Sequence, residues 1–117
     1  MAGLTAEAIF AIPRTAPEAV KVAEWGGEVW VRLLTGAQRD AMFSGLKRNA
    51  DDTTDMRDLR ARLLSAAIVK EDGSPMFTQE QALQADDDYP AAAVRLFNIA
   101  QRINKLRPED MEAASGN

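Results

Sequence analysis

The sequence predicts an α+β fold: an N-terminal β-hairpin packed on a small bundle of about four to five helices, predominantly helical overall. Three observations carry this reading. A glycine pair at Gly26-Gly27 separates two valine-rich alternating segments, a hairpin signal. Two Thr-x-x-Gln patterns, at Thr35 and Thr78, open helices as capping boxes. A long amphipathic stretch begins at Pro90 near the C-terminus.

At 117 residues the chain fits one domain, large enough to bury a modest core without disulfides or metals. The expected division is an N-terminal helix and connector over 1–18, a hairpin over 19–34, a helical region over 35–112 and a frayed tail over 113–117. Apolar residues make up 46% and charged residues 27%, proportions of a folded globular protein. There is no cysteine, which removes disulfides and thiolate metal sites and makes the cytosol the simplest compartment. There is no histidine either, the commonest general acid/base and metal ligand near neutral pH. The composition therefore points to a binding protein with no cofactor or metal, not to an enzyme. A net charge of −4 disfavours a general nucleic-acid binder, whose affinity rests on many Lys and Arg contacts to phosphate. No window approaches the roughly 18 apolar residues of a spanning helix, so no membrane partner is expected. No basic region precedes the short apolar N-terminal stretch, so no secretory signal is expected.

Along the chain, Thr5 caps a short helix through Ala6 to Ala11 that Pro13 limits, and Arg14 to Glu18 forms an extended connector. Strands Ala19 to Trp25 and Glu28 to Leu34 follow. A two-residue turn would pair Glu24 with Val29, Val22 with Val31, and Val20 with Leu33. Val20, Val22, Val29, Val31 and Leu33 then form the buried face. Lys21, Ala23, Trp25, Glu28, Trp30 and Arg32 form the other, which places both tryptophans together, away from the main core.

Thr35 opens a helix to about Arg48 with Met42, Phe43 and Leu46 on its apolar side. After the polar loop Asn49 to Thr54, Thr54 or Asp55 caps a second helix. Met56, Leu59, Leu63 and Ala67 form its stripe, Leu64 and Ile68 widen it, and Asp72-Gly73-Ser74-Pro75 stops it. Met76 and Phe77 fold back onto the core, and Thr78 opens a short helix ending near Asp86. Asp88 is read as the cap of the last long helix, which is expected to be central. Ala92, Leu96, Ile99, Ile103 and Leu106 form its stripe, with Arg95, Asn98, Arg102 and Lys105 along the flank. Pro108 opens a short acidic helix, and Ser115-Gly116-Asn117 fray.

The acidic groups Asp51, Asp52, Asp55 and Asp86-Asp87-Asp88 lack the alternating ligands and closing Glu of a calcium loop and read as helix caps and solvated charge. Gly26-Gly27 lacks the following helix and Lys of a phosphate loop. Ser65 and Lys70, five residues apart, lie on different sides of a helix and make no nucleophile pair. The candidate interaction residues are Trp25, Trp30, Arg32, Val94, Phe97, Arg95 and Arg102. For the tryptophans two readings stay open: a second-layer core covered by the N-terminal helix or connector, or exposed partner anchors. Val94 and Phe97 are either core or an exposed patch. Arg57, Arg60, Arg62 and the Arg95, Arg102, Lys105 flank are either solvated surface or a dock for an acidic partner.

Three groups of motifs resemble the tail assembly chaperones of long-tailed, siphovirus-type bacteriophages. The first is Glu24-Trp25-Gly26-Gly27, Val29-Trp30-Val31-Arg32 and Leu34-Thr35-Gly36-Ala37-Gln38-Arg39-Asp40. The second is Arg62-Leu63-Leu64, Glu71-Asp72-Gly73 and Phe77-Thr78. The third is Leu96-Phe97, Ala100, Ile103-Asn104, Leu106 and Pro108-Glu109-Asp110. Ala23 stands where such proteins often carry proline. The resemblance implies a non-catalytic assembly factor in the host bacterial cytoplasm, from a phage or prophage, that is absent from the mature virion. It implies binding to the tape measure protein, which is kept soluble until the tail tube polymerises around it. It also implies a longer frameshifted form whose extra tail recruits the tail tube protein; self-association is a separate reading, tied to Val94 and Phe97 forming an exposed patch. The family has no catalytic signature, so no functional residue carries over. The competing readings are a structural head–tail connector or tail-completion protein, and a bacterial helical adaptor.

Overall fold

A computed structural model describes residues 3–107; the short helix expected after Pro108 and the tail over 113–117 lie outside the described residues. The described residues form five helices and one antiparallel sheet: α1 (Ala6–Phe10), β1 (Glu18–Val22), β2 (Gly27–Val31), α2 (Gly36–Phe43), α3 (Met56–Ala67), β3 (Ile68–Val69), α4 (Gln79–Asp88) and α5 (Pro90–Asn104). The α+β, helix-rich class matches the expectation.

The hairpin forms, but its register differs. Val20 pairs with Val29, Lys21 with Glu28, Val22 with Gly27 and Glu18 with Val31. The expected partners Glu24–Val29, Val22–Val31 and Val20–Leu33 do not meet. The reversal is made by a 3-10 turn over Ala23–Trp25 that closes on Gly26 at φ 67°. A two-residue type I′ turn needs positive φ at both central residues, and Gly27 is instead the first residue of β2. The register moved by four, an even number, so Val20, Val22, Val29 and Val31 keep one face. Val22, Val29 and Val31 are buried and Val20 half-buried. Trp25, however, leaves the ladder, and the two tryptophans do not share a face. Leu33, expected in the core, is 48% exposed, and Leu34 is buried in its place.

A third strand was not foreseen. Helix α3 ends at Ala67 because the β-branched pair Ile68-Val69 turns extended and joins β2, opposite Val31 and Trp30. The Arg32 N–H donates to the Ala67 carbonyl at 2.9 Å and prolongs the ladder. The expected stop at Asp72–Pro75 is therefore a turn after β3: Gly73 sits at φ 87°, and the Met76 N–H returns to the Ile68 carbonyl. Met76 and Phe77 do pack back on the core.

Helix starts follow the sequence closely. Thr5 caps α1, Thr35 and Thr78 form complete capping boxes, and Asp55 accepts from the Arg57 and Asp58 N–H groups. Helix ends follow it less well. Helix α2 stops at Phe43, short of Arg48. Helix α4 runs on through Asp88, so Asp88 does not cap α5; Tyr89 alone joins the two helices. Pro90 excludes the α conformation at the preceding residue, and Tyr89 sits at φ −135°, ψ 62°.

The core lies between the sheet and the helices, and α3, not α5, is its hub, packing on α2, α4 and α5 and leading into β3. Leu59, Leu63, Leu64, Ile68 and Leu96 are fully buried, while Met56 is exposed. Ala61, Ala67, Ala82, Ala92, Ala93 and Ala100 are also fully buried, small side chains that let α3, α4 and α5 approach closely.

Ion pairs lock this arrangement. Arg60 clasps the buried Asp86 through both guanidinium and carboxylate edges, and Arg57 reaches Asp87 at 2.7 Å, joining α3 to α4. Arg62 pairs with the buried Asp58 at 2.8 Å and also donates to the Ser44 and Gly45 carbonyls past the end of α2. These arginines are thus tied into the fold, not a free dock for an acidic partner.

The end of α5 is tied to the end of β2 by Asn104, only 3% exposed. Its Oδ1 accepts from the Leu34 N–H at 2.7 Å, and its Nδ2 donates to the Arg32 and Ala100 carbonyls at 3.2 and 3.0 Å. Helix α5 then closes with Lys105 in the left-handed region at φ 53°, and the Leu106 N–H returns to Gln101. Replacing Asn104 by Ala strands a buried N–H and carbonyl, and urea unfolding should show a loss of about 2–3 kcal/mol. Lys105→Gly removes the side-chain penalty of the left-handed conformation and should raise stability by roughly 0.5–1 kcal/mol in the same assay.

Candidate functional site: an aromatic groove

The turn that shifts the hairpin register also builds a groove. Trp25 packs edge-on against Phe77, with ring centroids 6.0 Å apart at 73°, and against Tyr89, 5.7 Å apart at 88°. Phe77 arrives from the turn after β3, and Tyr89 from the single-residue link before Pro90. Together with Val29 and Met76 these rings line an open, mainly apolar cavity of about 480 Å³, bordered by Glu28, Gln81, Gln84 and Asp88. Its size and apolar walls are those of a site able to take an apolar side chain or ligand.

The seven candidate interaction residues scatter. Trp25 is half-buried and lines this groove. Trp30 lies on the opposite face of the sheet, paired with Ala19 and Val69, beside a separate hollow with Lys21 and Glu28. Arg32 is half-buried, its Nε donating to the Ala66 carbonyl at 2.9 Å, a structural bond. Phe97 is 6% exposed and belongs to the core, whereas Val94 on the same helix is 43% exposed. Arg95 forks onto Glu24 at 2.7 and 3.3 Å, and Arg102 meets Glu18 at 2.9 Å, so both link α5 to the hairpin. Tyr89 is the groove residue that the sequence reading missed. Its signal was an aromatic residue placed directly before the proline at a helix junction.

The N-terminal segment does not cover the tryptophans. No residue of α1 is buried, and Leu4, Ile9, Phe10 and Ile12 are exposed, Phe10 at 84%. The connector Pro13–Thr15 runs instead beside Leu33 and Leu34. Among the described residues no group of acidic side chains is arranged to hold a metal ion, and no helix is long and apolar enough to cross a membrane.

No protein-family model matches the chain, and no curated protein matches its sequence. Among solved structures, the tail assembly chaperone of bacteriophage HK97 matches with a TM-score of 0.53 and 17% identity, over 75% of this chain and 84% of that chain. The two chains share a fold. The likeness covers most of both molecules.

The Glu24–Arg95 link beside the groove is testable by pH. The Arg95 guanidinium, through its hydrogen bonds, holds the Glu24 carboxyl below its ordinary value of 4.5, helped by a backbone hydrogen bond. A lowered carboxylate value means the link is present at neutral pH and lost as pH falls through that lowered value. NMR titration should find the Glu24 midpoint below 4.5, and Arg95→Ala should return it toward 4.5.

Proposed function

We propose that this chain is a non-catalytic phage tail assembly chaperone that binds helical segments of the tape measure protein and keeps them soluble until the tail tube polymerises. The observation that carries the reading is the open aromatic groove, presented on the fold shared with the HK97 tail assembly chaperone. A long helical client exposes apolar stripes that aggregate when unpaired, and a groove of this kind takes one anchor side chain at a time. Many copies along one client supply avidity, while each contact stays weak enough to yield to arriving tube subunits. The exposed apolar α1 segment offers a second adhesive surface, for the client or for another copy. In this reading the protein works in the host bacterial cytoplasm, is absent from the virion, and reaches the tail tube protein through a longer frameshifted form.

Co-expression with the tape measure protein tests the proposal. The client should be recovered in soluble, co-purifying form with the native chain, and Trp25→Ala should weaken each contact about tenfold, the scale of an aromatic hot spot. A client that stays soluble and unbound without this chain defeats the reading. Mass spectrometry of purified particles should not find the chain; its presence there would favour a structural connector or tail-completion role.

A further inference from the structure

We infer that the N-terminal arm of one copy seats Phe10 in the aromatic groove of a second copy, head to tail, and that the client must displace it; this last step rests on the groove being the client site. The arm carries four large apolar side chains, Leu4, Ile9, Phe10 and Ile12, all exposed, and the body of the chain buries no residue of α1. An exposed apolar cluster of this density marks a contact surface. Ile9 and Phe10 are adjacent and project about 100° apart on the helix, so a flat partner would cover one and leave the other. A concave apolar site covers both, and the groove lined by Trp25, Val29, Met76, Phe77 and Tyr89 is such a site.

That groove belongs to another copy. Strand β2 leads from Gly27, at the groove, toward Leu33, beside which the connector Pro13–Thr15 runs, a span of about 20 Å of extended chain. The backbone from Pro13 back to Phe10 reaches at most about 10 Å. With the connector in place, the arm therefore stops short of its own groove, and the two lie at opposite ends of the hairpin. A contact between two different surfaces leaves one arm and one groove free on every pair, so association does not stop at dimers. A docked ring with its aliphatic neighbours covers on the order of 400 Å² on each partner, short of the roughly 1,000 Å² in total that a durable interface needs. Each link is weak, and a client with many apolar anchors can replace it.

Sedimentation velocity on the intact protein provides the test. The native chain should associate beyond dimers as its concentration rises. Phe10→Ser, at a side chain the fold does not bury, and Tyr89→Ala, at the exposed groove wall, should each raise the concentration required about tenfold. An equal mixture of the two variants keeps one intact arm and one intact groove, and should form dimers that grow no further. A native chain that stays monomeric, a Phe10→Ser chain that associates as the native one does, or a mixture without dimers overturns the arm docking. In the co-expression assay, Tyr89→Ala should lose client recovery together with self-association. Self-association lost with client recovery unchanged would overturn the groove as client site, and with it the displacement, while leaving the arm docking. Client recovery lost with self-association unchanged would overturn the arm docking alone.

Discussion

The amide of Asn104 is the constraint on which the rest of the arrangement depends. It sits where the chain leaves β2 and where α5 ends, two points about seventy residues apart in sequence that share one buried side chain. Two functional groups satisfy three backbone partners, two of these hydrogen bonds buried and the third part-buried. A backbone group at that position without a partner would cost more than most single core contacts contribute. The amide therefore fixes the sheet against α5, and the exposed links Glu18–Arg102 and Glu24–Arg95 can align the hairpin along the helix only once that anchor holds. Exposed pairs of this kind contribute little by themselves and orient what is already held.

With the sheet so placed, the turn of the hairpin meets the α4–α5 junction. Trp25 forgoes a place in the strand ladder and gains two edge-on ring contacts instead. Two constraints of different origin converge there. Pro90 forces Tyr89 out of helical geometry, and Ile68-Val69 takes up an edge of the sheet, so that the following turn brings Phe77 back. The groove is the product of these three chain reversals, and its walls come from segments that no local rule connects.

The helical part is held in a different way. Small alanines bring α3, α4 and α5 together, and arginines of α3 then meet aspartates at two levels, Asp58 within its own helix and Asp86 on α4. Both aspartates are buried, and a buried charge without its partner is strongly destabilising. The Arg60–Asp86 pair thus acts on specificity: it disfavours packings in which α4 slides along α3, since such a shift would leave the Asp86 carboxylate alone in an apolar setting.

Much of this was legible in the residues themselves. Helix starts at Thr5, Thr35, Asp55 and Thr78, the proline at the head of α5, and the valines that share one face of the hairpin all follow from interactions within a few positions. So does the α+β class, because periodicity and capping are local. The tertiary structure alone decided the hairpin register, the third strand, the separation of Trp25 from Trp30 and the assembly of the groove. Each of these turns on a competition between a local preference and a distant partner. Gly26-Gly27 allows a tight turn, yet the chain reverses through Ala23–Trp25 and sets the indole edge-on to Phe77 and Tyr89 instead of extending the ladder. Ile68 fits the helical stripe of α3, yet an open edge on β2 claims its backbone. Local chemistry names what each segment can do, and the distant segment that satisfies its unpaired groups chooses among those options.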